Sequence, residues 1–439
     1  MRNRILTLQS FLLLFMLMAI APVCLAQEFA DFMENDVYYK ILEDSSKVEV
    51  CYANSLGGAL YYSSYSGDIV IPSTVTHEGK TYEVTRILGG AFYLCDELTS
   101  VSIPNSVTQI EGYGIMRTWQ GSYYAGTFGN CTSLKSINFP DHLTEIGPWT
   151  CFGCSALTEV NFPQALTMIG GSSFSNCSSL KTLEFPESLT SIGESAFSSC
   201  VSLEDIVLPE GLLYIGPNAF FECSGLLSIM IPSSVNSIGE SALYGCSNLE
   251  RIIVDSENPV YDSRNDCNAL INTSTNEIMR GCKVTVIPNS VTSIGDESFE
   301  HCLGLTSITI PESITRIGSS AFYGCKALDT VVCWPLSPPS LSSSAFGGVP
   351  QNMCVYVPAN VLEAYQNNSV WGKLNLLPMS GGGLTGDVNG DGEVNIADIN
   401  AVIDAILNDV MMEDRYDVNG DGELNIADIN AIIDIILNS

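Results

Sequence analysis

The chain has 439 residues, in which Asp and Glu outnumber Lys and Arg 49 to 17, for a formal charge of −32. Such a field repels phosphate, so neither nucleic acid nor an anionic membrane surface is an expected partner. The length admits two or more domains, although a repeat array can run this long as a single body.

Residues 1–26 read as a signal peptide rather than fold. Arg2 and Arg4 precede an apolar run from Phe11 to Ile20, and Cys24-Leu25-Ala26 leads into Gln27. The run is short for a membrane span, and small residues occupy the last and third-last positions before the break. A lipoprotein anchored through Cys24 is the rival reading, weakened by Val23 where a small residue is wanted. No other segment is apolar for long enough to span a bilayer, so the mature chain is expected to be secreted or held at the cell surface without a transmembrane span.

Residues 27–83 read as an N-terminal β cap. Val37–Ile41 and Val48–Val50 are short β-type runs, and Asp68–Pro72 and Tyr82–Val84 continue the style around a turn at Glu78-Gly79-Lys80. From 84 to 333 the chain keeps time. Cys131, Cys154, Cys177, Cys200, Cys223 and Cys246 recur every 23 residues, with prolines at 140, 163, 186, 209 and 232 and Ile-Gly pairs beginning at 146, 169, 192, 215 and 238. Phe152, Phe174, Phe197 and Phe220 follow those pairs. A fixed period of this length is the mark of a solenoid whose coils bury their apolar faces against one another.

The beat assigns each side chain a direction. The cysteines stack inward as a ladder about 4.8 Å apart, too far for the roughly 2.05 Å disulfide bond, and are expected to be buried free thiols. Cys51, Cys267, Cys282, Cys333 and Cys354 lie off the ladder and are free to pair. On the outward side of each strand lie Ser136 and Asn138, Glu159 and Asn161, Thr182 and Glu184, Asp205 and Val207, Ser228 and Met230. Stacking should line these into one parallel sheet, making Glu159, Asn161, Thr182, Glu184, Asp205 and Ser228 the candidate ligand face. Cys131 follows Cys95 by 36 positions, one period plus thirteen. The surplus falls around 111–125 and carries Tyr113, Trp119, Tyr123 and Tyr124. It must bulge outward, either as a contact patch or folded back on the flank.

After Val254 the rhythm breaks, with Asp255–Tyr261 and Asn268–Ile271 standing where a turn should be and a hairpin expected. Val286-Ile287-Pro288, Ile294-Gly295, Phe299 and Cys302 restore it. Ser290 to Phe299 resembles the BspA-type leucine-rich repeats of bacterial surface proteins, and Asn258 to Arg264 is similar to the variant that interrupts them. The resemblance covers roughly 30–378. It implies a leucine-rich-repeat solenoid, with a parallel β-sheet on one face of its 23-residue coils, and adhesion to proteins, glycans or other cells.

Residues 334–379 read as a C-terminal cap. Pro335, Pro338 and Pro339 stop the coils, Cys354–Pro358 is a last strand, and Val361–Tyr365 is a short helix ahead of Trp371. Residues 380–386 are a Gly-rich linker. In 387–439 thirteen acids face a single base, Arg415. Asp387, Asn389, Asp391, Glu393, Asn395 and Asp398 form a calcium loop: side-chain oxygens at loop positions one, three and five, a carbonyl from Glu393, and a carboxylate at position twelve. Gly392 allows the sharp turn. Thirty residues on, Asp417, Asn419, Asp421, Glu423, Asn425 and Asp428 repeat the loop. Two Ca2+ ions are therefore expected, and with so few other stabilising features the module should depend on them to fold. Each loop enters a helix, with Ile399, Val402, Ile403, Ile406 and Leu407 on one face and Ile429, Ile432, Ile433, Ile436 and Leu437 on the other's.

The first loop has no helix before it, and Asp closes both loops. These features resemble a type I dockerin, which implies a small all-α calcium-binding module that docks into a cohesin-type domain of a scaffold protein. The positions that often hold a Ser-Thr pair are here Ile396-Ala397 and Ile426-Ala427, candidates for partner contact. Ile403-Asp404 and Ile433-Asp434 replace a basic pair. The near-identical halves allow binding in two orientations. His301-Cys302 is the one tempting dyad, but Cys302 belongs to the inward ladder. No nucleophile motif, phosphate loop or zinc spacing appears. The expectation is a secreted, non-catalytic binding or adhesion protein whose repeats recognise a protein or glycan and whose dockerin attaches it to an assembly. The alternative is a polysaccharide-degrading enzyme, or an enzyme accessory, of a cellulosome-like complex.

Overall fold

The computed structural model describes residues 30–52, 65–118, 121–379, 386–389, 394–408, 410, 415–419 and 423–438. The leader with Cys24, Trp119, linker residues 380–385, and loop residues Asp391, Glu393 and Asp421 lie outside the described residues. Two compact units divide at Tyr261 and Asp262.

In the first unit an antiparallel set Phe32–Glu34, Val37–Ile41 and Lys47–Cys51 covers the open end of the array. Thr74–His77 turns antiparallel onto Lys80–Ile87, through Glu78 and Gly79 at positive φ, where Gly carries no Cβ penalty. Repeat geometry begins earlier than the Cys95 coil, because Gly67–Val70 already pairs in parallel with Leu98–Ser102.

The three-residue strands pair coil on coil in register, Ser136 with Glu159 and Asp205 with Ser228. One parallel sheet was expected. There are two four-stranded segments, because Glu159–Asn161 and Thr182–Glu184 do not pair. Val160 is half-buried at this seam where Ile137 and Leu183 are buried. A second ladder, not anticipated from the sequence, joins the two-residue strands Glu145–Ile146, Met168–Ile169, Ser191–Ile192, Tyr214–Ile215 and Ser237–Ile238. The glycine after each Ile lets coils touch there: a Cβ on Gly193 would stand 2.8 Å from Gly171 N, closer than carbon tolerates.

The core between the ladders is a set of columns. Phe174, Phe197 and Phe220 stack with centroids 5.4 and 5.7 Å apart and planes within 7°. Phe152 does not belong to this column. Cys151, wholly buried, takes the aromatic slot between Phe128 and Phe174, and Phe152 is half-buried one residue on. The cause is arithmetic: 151, not 152, lies one period from 128 and 174.

All fifteen described cysteines are free. The ladder thiols have partners of another kind. Cys131 Sγ donates to Phe92 O at 3.0 Å, Cys154 to Phe128 O at 3.0 Å, Cys200 to Phe174 O at 3.2 Å and Cys223 to Phe197 O at 3.1 Å. Each thiol thus satisfies a carbonyl of the preceding coil. Burial pushes the Cys95 and Cys200 thiols up to about 12, which keeps them protonated as donors. The residue before the ladder cysteine has left-handed φ in coil after coil: Asn130 (58°), Asn176 (62°), Ser199 (59°), Glu222 (56°) and His301 (55°). His301 is placed by that turn, its amide donating to Tyr323 O at 2.8 Å.

In the second unit the expected hairpin is Ala269–Asn272 against Glu277–Gly281. The coil strands resume with Ser307–Ile310, Thr330–Cys333 and Cys354–Val357. Cys354–Val357 is not the last strand, since Asn375–Pro378 adds one more in parallel. Between them Leu362–Gln366 is helical. Buried Tyr365 and Trp371 close the core, and their polar tips donate to Pro335 O at 2.7 Å and Pro339 O at 2.8 Å. Prolines bring no N–H to a ladder, and here two side chains supply the donors for their carbonyls.

Candidate metal centre and partner face

The helices Ile396–Leu407 and Ile426–Asn438 supply the frame of the C-terminal module. Val388, Val402, Ala405, Tyr416 and Ile432 form its small core, flanked by half-buried Val394, Val418 and Leu424 from the loops. Leu407 and Leu437, expected to share the apolar face of their helices, are 75 % and 77 % exposed. Five residues beyond Val402, Leu407 sits roughly 140° round the helix, whereas Ala405 falls on the inward side.

Asp398 and Asp428 are fully buried carboxylates. One Asp398 oxygen accepts from Val388 N at 2.8 Å and Asn389 N at 2.9 Å; the other accepts from Asn395 N at 2.9 Å. Asp428 accepts from Asn419 N at 3.3 Å and Asn425 N at 2.9 Å. Each aspartate therefore gathers both ends of its loop around a single carboxylate. Neither meets a Lys, Arg or His among the described residues. The module's one base, Arg415, lies over Tyr416 at 4.7 Å and 3.9 Å from Glu312.

The asparagines also have a role that the loop pattern does not display. Asn395 Oδ1 accepts from Ala397 N, and Asn425 Oδ1 from Ala427 N, both at 2.8 Å. With Asp398 bonding back to the Asn395 amide, this is a helix capping box. An Asn followed three residues later by Asp, just before an apolar run, was the available signal. Asn395 and Asn425 therefore cap the helix ends, and Asp387, Asn389, Asp398, Asp417, Asn419 and Asp428 are, among the described residues, the further loop side chains with oxygens available to a cation. The donor set is entirely oxygen, two carboxylates are buried without a basic partner, and calcium fits such a set.

Ile396 and Ile426, at the first turn of each helix, are 71 % and 70 % exposed. Ala397 is exposed and Ala427 half-buried beside them. The two apolar corners are thus near-equivalent. On the repeats, Glu159, Asn161, Thr182, Glu184 and Asp205 are exposed and Ser228 is half-buried. Glu159 and Asn161 lie on one ladder segment. Thr182, Glu184, Asp205 and Ser228 lie on the other, with exposed Val207 and Met230 among them.

A family model described as BspA type leucine rich repeat region matches residues 57–118, 122–250 and 275–370, and one described as dockerin type I domain, a calcium-binding class of module, matches 385–437. A search among curated proteins returns no match. Among solved structures, a leucine rich cell surface protein from Faecalibacterium prausnitzii is 26 % identical, with TM-score 0.59, over 81 % of this chain and 96 % of that one. A leucine-rich repeat protein from Bacteroides ovatus is also 26 % identical, with TM-score 0.41, over 80 % of this chain and all of the other. No helix among the described residues is long and apolar enough to cross a membrane. The chain belongs to the BspA-type leucine-rich-repeat proteins and carries a C-terminal type I dockerin domain.

Proposed function

We propose that this is an exported adaptor protein of the cell surface. Its repeats bind a protein or glycan, and its dockerin, holding two calcium ions, docks to a cohesin-type domain. The observation that carries the reading is the doubled loop, each copy closing on a fully buried aspartate that has no basic partner among the described residues. Calcium supplies the positive charge those carboxylates need, and its binding orders the loops that position the helices. The exposed Ile396 and Ile426 corners then give the partner an apolar surface, in either of two orientations. Both modules are of non-catalytic types, and catalysis forms no part of this reading. The F. prausnitzii relative, described as a cell surface protein, supports the location.

The test is capture of cohesin domains by the full-length protein in calcium and again after chelation. Capture that needs calcium, survives Ile396→Asp or Ile426→Asp alone and fails in the double variant supports docking by either corner. Capture unaffected by chelation would contradict it.

A further inference from the structure

Coils are stitched on their second face by repeated bonds, such as Thr167 N to Thr144 O and Gly170 N to Ile146 O, each 2.8 Å. The same pair recurs upstream as Thr108 N to Thr85 O and Glu111 N to Ile87 O. Among the described residues the stitch is missing between Gln109–Ile110 and Glu145–Ile146, and the ladder ends again at Ser237–Ile238. Gln109–Ile110 pairs only back to Arg86–Ile87, and Glu145–Ile146 only forward to Met168–Ile169. This is where the thirteen surplus residues leave the array as the hairpin Tyr113–Thr118 and Gly121–Gly126.

A cleft of about 590 Å³ opens between the two unpaired edges, well inside the roughly 300–1,000 Å³ range of small-ligand sites. Its two ends differ. At one, a Cβ on Gly147 would lie 2.7 Å from Gly112 Cα; at the other, Asn105 Nδ2 donates to Asp141 at 3.4 Å. Thr108, Thr144 and Glu145 line the walls over buried Leu143. Tyr113 stands at the mouth. Its ring meets Tyr124 edge-on at 4.8 Å, and Tyr124 stacks on Trp149 at 6.5 Å and 24°. Tyr124 is 57 % exposed. Trp149 sits at φ 64°, a slot that other coils give to Ser172, Ser195, Asn218 and Ser241. The turn is left-handed in all of these coils, so what sets this one apart is the bulky side chain it carries.

We propose that this flank cleft and its aromatic shelf bind a neutral oligosaccharide. The proposal rests on the reading of the repeats as a binding scaffold, and it moves the ligand from the outward ladder to the flank. A sugar ring offers an aliphatic face to Tyr124 and Trp149 and its hydroxyls to a polar wall. That wall comprises the Glu145 carboxylate and the Thr108 and Ile110 carbonyls, which are relieved of ladder bonds. Carboxylates at the rim and a net charge of −32 disfavour anionic glycans. The backbone contact at Gly112 and Gly147 disfavours an extended peptide, which would need to run through the gap to complete the ladder.

The test is full-length protein on an array of neutral gluco-, xylo-, manno- and galacto-oligosaccharides, sialylated and uronic-acid glycans, and displayed peptides, followed by titration calorimetry. The proposal expects binding within a neutral series. Tyr124→Ala should raise Kd about tenfold, the scale of one aromatic contact. Glu145→Gln should weaken binding in the same sense, and Glu184→Gln with Asp205→Asn should leave it unchanged. All four positions are exposed, and circular dichroism checks that each variant folds. Neutral-glycan binding that is lost in Glu184→Gln with Asp205→Asn but kept in Tyr124→Ala would overturn the cleft and leave the binding scaffold standing. Binding confined to peptides or anionic glycans would overturn it too. No binding in any class would overturn both readings.

Discussion

Phe197→Ala tests whether the coils are held by close-packed columns. Phe197 is wholly buried, lies 5.4 Å from Phe174 and 5.7 Å from Phe220, and takes the edge of Phe185 at 5.7 Å. The lost transfer free energy is about 2 kcal/mol. A ring-sized void of about 100 Å³ adds about 2 kcal/mol, because coils above and below leave no route for collapse. The expected loss is therefore about 4 kcal/mol. Urea unfolding followed by tryptophan fluorescence reads it cleanly, since all four tryptophans (119, 149, 334 and 371) precede the dockerin. Half-buried Phe152→Ala, outside the column, is the control and should lose about 1 kcal/mol. Equal losses in the two variants, or a loss for Phe197→Ala near 1 kcal/mol, would refute the packing argument.

Asn258→Ala should cost about 3 kcal/mol by the same assay, because the side chain donates to Pro232 O and Val235 O and accepts from Val260 N and Tyr261 N, all at 2.8–2.9 Å; a loss below about 1 kcal/mol would show that water replaces it. Glu222→Val should cost about 1 kcal/mol through its φ of 56°, while Glu222→Gly should not, and identical midpoints would refute the strain. Stability should also fall in alkali. Burial raises the Cys200 and Cys325 thiols from the ordinary value of 9.0 to about 12, so their contribution is complete below pH 9 and is lost as pH climbs toward 12. Urea midpoints measured across that window check this, and a flat profile would contradict it.

Much of this was legible because a period of 23 fixes which side chains face inward, whatever the ligand. Cys131 to Cys246 read as free thiols from spacing alone. Their bonding to carbonyls of the preceding coil did not, because it depends on where the turn before each cysteine places those carbonyls. Glu222 and His301 show why: left-handed turns are marked in sequence by Gly or Asn, and these residues carry no such mark. Phe152 was misassigned because an aromatic one residue off the beat looks like the aromatic on it. In the dockerin, loop chemistry places Asn395 in the calcium loop, and the same side chain also caps a helix N-terminus, a second role the loop pattern does not display. The flank cleft was hidden because counting thirteen extra residues locates an insertion but not the ladder bonds it displaces.

The most direct measurement is calorimetric titration of calcium into chelator-stripped full-length protein, alongside Asp398→Asn, Asp428→Asn and the double variant, with circular dichroism at each end point. The account predicts two ions with a gain of helix, one ion for each single variant, and none for the double. Calcium uptake that ignores both substitutions, or no uptake by the unsubstituted chain, would contradict it.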